Sequence, residues 1–155
     1  MKPIKSKTEN IAEYILYLWQ MEDYLRAFPS MADGNEELEN YLTMMHDEGI
    51  MENGHLQLAI NAIEELEDLH QEIIRQEETY KNAFKKLQPA LISYRILIDK
   101  PAISDIETCL TFMYNILLLR LQNKTISNET KMTQEAITGI LKYLSETYFS
   151  NFANK

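Results

Sequence analysis

The sequence predicts a single all-α domain spanning residues 1–155. Apolar residues recur at intervals of three and four through most of the chain, which is the spacing of one helix face. No segment alternates apolar and polar residues as a half-buried strand would. The chain has only four glycines and four prolines, whereas sheet proteins with many tight turns usually need more of both. We therefore expect a helical bundle of about six helices, with residues 1–9 as a flexible N-terminal arm.

Local signals set the expected helix ends. Asn10 with Glu13, and Ser104 with Glu107, have the spacing of a capping box at a helix start. Gly49 suits the left-handed position that follows a helix. Together with the apolar period, these signals predict helices at residues 11–28, 35–48, 55–75, 80–98, 104–122 and 128–149.

Three features inside the predicted helices bear on their packing. Pro89 interrupts the fourth helix, but the same apolar stripe continues beyond it, so we expect one kinked helix. The fifth helix is the most apolar, and we expect it to be the most buried. Gly139 lies inside the sixth helix, where glycine weakens a helix, and this indicates a close crossing with a neighbour.

Charge and cysteine content restrict the function classes. The formal net charge of −9 disfavours binding to nucleic-acid phosphates and to anionic membranes. The most apolar stretch, residues 109–121, is too short to span a bilayer. No apolar segment typical of a signal peptide follows the first residues. Cys109 is the only cysteine, so neither an internal disulfide nor a zinc-type pair can form. We expect a buried thiol in a cytoplasmic protein.

One motif resembles part of a metal site. Glu67 and His70 have the Glu-x-x-His spacing that points both side chains at a di-iron centre. Such a centre needs this motif twice, and neither His46 nor His55 has a glutamate three positions before it. The acidic run around Glu67 is most simply a solvated helix face. The chain also has no glycine-rich phosphate loop and no nucleophile elbow. We therefore expect no metal and no cofactor.

Two polar side chains fall on apolar helix faces. His70 lies within the apolar stripe of the third predicted helix, and Arg120 lies beside apolar residues of the fifth. An arginine keeps its charge at any ordinary pH, and an unpaired buried charge is strongly destabilising. We therefore expect Arg120 to be buried against an acidic partner, with Glu22 as the first choice and Glu13 as the second.

These residues allow two interpretations. In the structural one, an internal salt bridge and a hydrogen-bonded histidine belong to the core. In the functional one, the side chains line a pocket for an anionic ligand. The residues of that candidate ligand site are Trp19, Glu22, Arg26, His70 and Arg120.

Several segments resemble a known family. The longest is NIAEYILYLWQMED at residues 10–23, and the shorter ones are GHLQ (54–57), DLH (68–70), ETC (107–109) and LRLQ (119–122). Together they resemble the helical family of Bacteroidetes named domain of unknown function 4924. The chain is shorter than that family around residues 30–36, between the first two helices. The resemblance implies a small helical bacterial protein, located in the cytoplasm, and it carries over no catalytic residues.

The sequence therefore favours a non-enzymatic helical module that binds a partner protein, with self-association into a homodimer as one form of this. The first helix has more apolar surface than one neighbour can cover, and the nine tyrosines and eight methionines are residue types favoured at interfaces. The alternative is a small-molecule binding protein or enzyme that uses the Glu, Arg and His residues between the first, third and fifth helices.

Overall fold

The computed structural model describes residues 6–154, and within them the chain forms six α-helices and no strand. The helices are α1 (Ile11–Ala27), α2 (Glu36–Asp47), α3 (Gln57–Gln76), α4 (Glu78–Leu97), α5 (Asp105–Leu121) and α6 (Asn128–Ala153). A short 3₁₀ turn, Pro29–Ala32, separates α1 from α2. The predicted all-α class and the number of helices are confirmed. None of these helices combines the length and the apolarity needed to cross a membrane.

Side-chain caps fix the starts of two helices as predicted. The Asn10 side chain accepts a hydrogen bond from the Glu13 backbone N–H at 3.1 Å. The Ser104 hydroxyl accepts one from the Glu107 backbone N–H at 3.2 Å. Gly49 has the expected positive φ of 69° after α2. In each case a local residue satisfies backbone groups that the helix itself leaves unpaired.

Two helix boundaries differ from the prediction. α3 and α4 are separated by Glu77 alone, whose extended backbone ends one helix and starts the next. α6 continues to Ala153, four residues beyond the predicted end. α4 passes through Pro89 as one helix, which confirms that this proline does not divide it.

The most buried helix is α1, so the prediction for α5 is wrong. Eight of the 17 residues of α1 are buried, against six of the 17 in α5. Three leucines of α5, at positions 117–119, are only half-buried, and Leu121 is 63% exposed. Apolar composition shows how much surface a helix could bury, but the neighbouring helices decide how much of it they cover.

Gly139 does not mark a close helix crossing, contrary to the prediction. The residue is exposed, and a Cβ added there would meet no atom within 4 Å. The glycine therefore weakens α6 without allowing a closer approach between helices. Cys109, in contrast, is fully buried as expected, and burial raises the pKa of its thiol.

Part of the predicted N-terminal arm lies outside the described residues, namely residues 1–5. Residues 6–9 form a turn in which the Glu9 backbone N–H donates to the Ser6 carbonyl at 3.1 Å. Within this turn Lys7 forms an ion pair with Glu65 of α3 at 2.7 Å.

Candidate functional site

Three of the five predicted site residues lie together on α1. Trp19, Glu22 and Arg26 are spaced three and four apart, so they share one side of the helix. That side faces the loop at residues 48–56, which connects α2 to α3. His70 and Arg120 lie elsewhere in the fold and do not join this cluster.

Glu22 is a buried carboxylate that holds the start of α3. Its side chain is 0% exposed, and its Oε2 atom accepts a hydrogen bond from the Leu56 backbone N–H at 2.7 Å. Leu56 precedes the first residue of α3 and has no polar side chain with which to cap the helix. A carboxylate is favoured there because the helix N-terminus has unpaired N–H groups and a partial positive charge. Glu22 therefore acts as a cap supplied from another helix.

The second oxygen of Glu22 orients His55. The Oε1 atom lies 2.7 Å from Nδ1 of this histidine, whose side chain is 44% exposed. The imidazole stacks on the indole of Trp19, with ring centroids 5.0 Å apart and an interplanar angle of 28°. The hydrogen bond and the stacking together fix the orientation of the imidazole ring. The other ring nitrogen, Nε2, takes no part in this hydrogen bond.

Sequence reasoning did not include His55 in the site. In the sequence, His55 stands out only as a possible metal ligand. Its carboxylate partner lies 33 residues away in the chain. One local signal could have indicated an acidic partner. His55 lies at the start of a helix that has no capping side chain of its own, so its first N–H groups need an acceptor from elsewhere.

Arg26 stabilises the same loop by donating hydrogen bonds to backbone carbonyl groups. Its Nε and Nη2 atoms donate to the Ile50 carbonyl at 3.0 and 2.9 Å, and Nη2 also donates to the Gly54 carbonyl. The Nη1 atom lies 3.4 Å from the carboxylate of Asp23. All three guanidinium nitrogens are therefore used within the protein, and the bidentate geometry needed for an external anion is already occupied.

Tyr114 of α5 packs against the cluster beside Trp19 and Asp23. Its hydroxyl group donates to the Asp23 carboxylate, and its ring meets the edge of Trp19 with centroids 5.8 Å apart. Burial and the hydrogen bond to this carboxylate raise the pKa of Tyr114, so the phenol stays protonated. The Trp19 Nε1 atom is buried and has no hydrogen-bond partner among the described residues.

His70 belongs to a separate internal contact between α3 and α4. Its Nδ1 atom lies 2.6 Å from the hydroxyl group of Tyr80, and the Phe84 ring packs edge-on at 4.4 Å between centroids. The side chain is fully buried, and this burial lowers the pKa of the imidazole. His70 is thus a neutral core histidine, which agrees with the structural interpretation.

The Glu67–His70 pair does not converge on a common ligand. Glu67 directs its Oε2 atom to the backbone N–H of Ile106, 3.1 Å away, and so caps the start of α5. His70 turns instead into the core. Among residues 6–154, no group of three or more His, Cys, Asp or Glu side chains has an arrangement that could hold a metal ion.

The predicted burial of Arg120 is wrong. The side chain is exposed in the last turn of α5, and it forms an ion pair with neither Glu22 nor Glu13. It lies over α6 near Lys131 and Glu135. A helical wheel gives the direction of a side chain around the axis, but it does not show how far along the axis the neighbouring helices extend. A cation in the last turn is favourable for the helix dipole without any buried partner.

An open groove of about 420 Å³ runs beside His55, between α3 and the start of α5. Four carboxylates line it, and its only other titratable group is this histidine; the acids are Glu64, Glu67, Asp68 and Glu107. Such a wall repels anions. The chemistry expected for an anionic ligand is therefore absent from the surface that the cluster presents.

Comparison with known proteins places the chain in a family. The profile described as Domain of unknown function (DUF4924) matches residues 3–38 and 30–154. The two matched segments overlap at residues 30–38, which run from the turn after α1 into the start of α2. No curated protein and no solved structure matches the chain. Since the matched residues cover nearly the whole sequence, the chain belongs to the domain of unknown function 4924 family.

Proposed function

We propose that this protein is a non-enzymatic helical module that associates with a second copy of itself. The observation that carries the proposal is a row of exposed aliphatic side chains on α4. Ile92 is 50% exposed and Ile96 is 69% exposed, and their spacing of four puts them on one face. Leu97 beside them is 79% exposed. Clustered aliphatic surface of this kind is typical of protein interfaces.

The polar cluster supports this proposal over the ligand-binding alternative. Both oxygens of Glu22 and the Nε and Nη2 atoms of Arg26 hold the loop before α3, and Nη1 of Arg26 pairs with Asp23. The adjacent groove is acidic and repels an anionic ligand. The cluster therefore has a structural role in this proposal, and the exposed apolar surface has the functional one.

We further propose that the module works in a bacterial cytoplasm. The buried thiol of Cys109 is compatible with a reducing compartment, because it has no partner cysteine in the chain. The net charge of −9 supports partners other than nucleic acid or an anionic membrane surface.

Sedimentation equilibrium of the full chain at tens of micromolar tests the proposal. We expect a species of twice the chain mass of 18.2 kDa. The double variant Ile92→Glu with Ile96→Glu should return to the chain mass, because each glutamate would be desolvated at the interface. Met132→Glu is the matched control, since Met132 is 72% exposed on α6. If the natural sequence gives only an 18.2 kDa species, the proposal is wrong.

A further inference from the structure

A groove between α1 and α6 has an apolar floor and an acidic rim. It encloses about 510 Å³, and the side chains of Leu16, Met113 and Leu141 form its apolar part. Glu9 and Glu146 are exposed at its edge. The lining includes one cation, Lys142, against the two exposed carboxylates Glu9 and Glu146, so the charge at this edge is negative.

The groove continues toward the end of α6. A second hollow of about 410 Å³ shares Glu9 and Glu146 with the first and reaches Phe149, which is half exposed. From Thr138 to Phe149 the lining follows α6 for about 17 Å at 1.5 Å per residue. We call the two hollows together the α1–α6 groove. Its length is that of three turns of a helix. Glu9 and Glu146 line both hollows and therefore lie where the two meet, between the apolar floor of the first hollow and Phe149 of the second.

The outer face of α4 has the complementary pattern. Lys81, Lys85, Ile92 and Ile96 are all exposed and lie on one stripe of the helix. The stripe is about 22 Å long by helical rise, with its cations at the start and its isoleucines at the end. Neither lysine forms an ion pair with any residue in 6–154. In a chain of net charge −9, this is a local basic and apolar surface.

We propose that the outer face of α4 from one copy lies in the α1–α6 groove of the second copy. The inference rests on the proposed self-association and names the two surfaces that form it. Ile92 and Ile96 pack on the apolar floor, and Lys81 and Lys85 face Glu9 and Glu146. Because Glu146 lies nearer the end of α6 than Leu141 of the apolar floor, the incoming α4 runs antiparallel to that helix.

The arrangement closes as a two-fold dimer. Each copy offers one α4 face and one groove, so the same contact forms twice and leaves neither surface open. α4 and α6 are packed neighbours in the fold, so the α4 face and the groove both adjoin α6. Opposite charges across an interface select the partner and the register more than they add affinity.

A charge-swap pair tests this pairing. The face variant carries Lys81→Glu and Lys85→Glu, and the groove variant carries Glu9→Lys and Glu146→Lys. Each variant alone sets like charges against each other in both contacts, so its dimer dissociation constant should rise by at least about tenfold. A one-to-one mixture restores opposite charges in both contacts. We expect the mixture to form a heterodimer with the affinity of the natural protein.

Control variants and outcomes separate this inference from the proposed function. Glu52→Lys with Glu64→Lys changes the net charge as the groove variant does, but at exposed residues away from the groove, and it should dimerise normally. Circular dichroism checks that every variant stays helical. If both swap variants dimerise as the natural protein does, or if their mixture stays monomeric, the pairing is wrong while self-association stands. A natural protein that is itself monomeric overturns both.

Discussion

At the residue scale, Glu22 shows how a buried carboxylate is stabilised without the arginine expected as its partner. The sequence indicated Glu22 as the partner of a buried arginine, but it could not identify the groups that Glu22 actually contacts. Those partners are the half-exposed imidazole of His55 and a backbone N–H that every residue except proline has. Arg120, expected as the partner, lies in solvent. Periodicity indicates which face of a helix is buried, whereas contacts between residues 33 positions apart depend on the tertiary fold.

Replacing Glu22 with leucine should destabilise the protein by about 1–3 kcal/mol, because the buried backbone N–H of Leu56 loses its hydrogen-bond acceptor. The free energy of unfolding from urea titration measures the loss. Glu64→Leu is the control, since Glu64 is an exposed glutamate in α3 with no capping role, and its effect should stay within about 0.5 kcal/mol. Equal effects of the two changes would show that the Glu22 cap contributes nothing.

His70 should make stability depend on pH below its ordinary pKa of 6.5. Burial lowers the pKa of the folded imidazole, and nearby Glu67 and Asp105 only partly oppose this. The unfolded chain therefore binds a proton that the folded chain does not, so the free energy of unfolding falls as pH decreases through this window. The contribution of this residue has a limiting slope of about 1.4 kcal/mol per pH unit.

The comparison that isolates this effect uses His70→Phe, which keeps an aromatic ring against Phe84. Urea titrations between neutral pH and pH 5 give, for each protein, the change in the free energy of unfolding with pH. This is about the range over which histidine ordinarily titrates. The variant should lose the extra slope even if its stability at neutral pH is lower. Parallel slopes for the two proteins would contradict a depressed pKa at this position.

At the scale of the helices, the sequence predicted starts and ends well where the capping residue is local. Asn10, Ser104 and Gly49 each act within one turn of the helix that they terminate. The start of α3 is different, because Leu56 cannot cap it. Glu22 caps it from α1, and Glu48 accepts a hydrogen bond from the Gln57 N–H at 2.8 Å. No local pattern could predict a cap supplied from another helix.

Gly139→Ala should stabilise the protein by about 0.5–1 kcal/mol, because the site is an exposed helix interior and the added methyl group has open space. The midpoint of thermal or urea unfolding measures the gain. Gly34→Ala is the contrasting variant, since Gly34 has a φ of 78° and an alanine there is strained despite equally open surroundings. A loss of stability for Gly139→Ala would mean that α6 needs the glycine for a contact that the monomer does not show.

At the scale of the whole molecule, the sequence predicted the class and the number of helices but not how they cover one another. α5 was expected at the centre because it is the most apolar, yet α1 buries more of its residues. Burial depends on how many neighbours surround a helix, and that follows from the packing of all six. The same reason explains why an apolar face such as that of Ile92 and Ile96 could not be recognised as exposed from its spacing.

Self-association should make the melting temperature depend on protein concentration. A dimer that dissociates as it unfolds is stabilised by mass action, so raising the concentration should raise the melting temperature. Scans across a hundredfold concentration range measure this. The Ile92→Glu with Ile96→Glu variant should melt at one temperature throughout the series. A concentration-independent melting temperature for the natural sequence would contradict a dimer that dissociates on unfolding.

The caps that α1 and α3 supply to other helices also bear on the order of folding. The first turn of α3 gains its cap only when α1 is already beside it, and the first turn of α5 gains Glu67 only when α3 has formed. α5 and α6 also carry local caps, in Ser104 and Ser127. The caps that Glu22 and Glu67 supply to another helix therefore form only together with tertiary docking. Such coupling removes partly assembled states and favours a single cooperative transition.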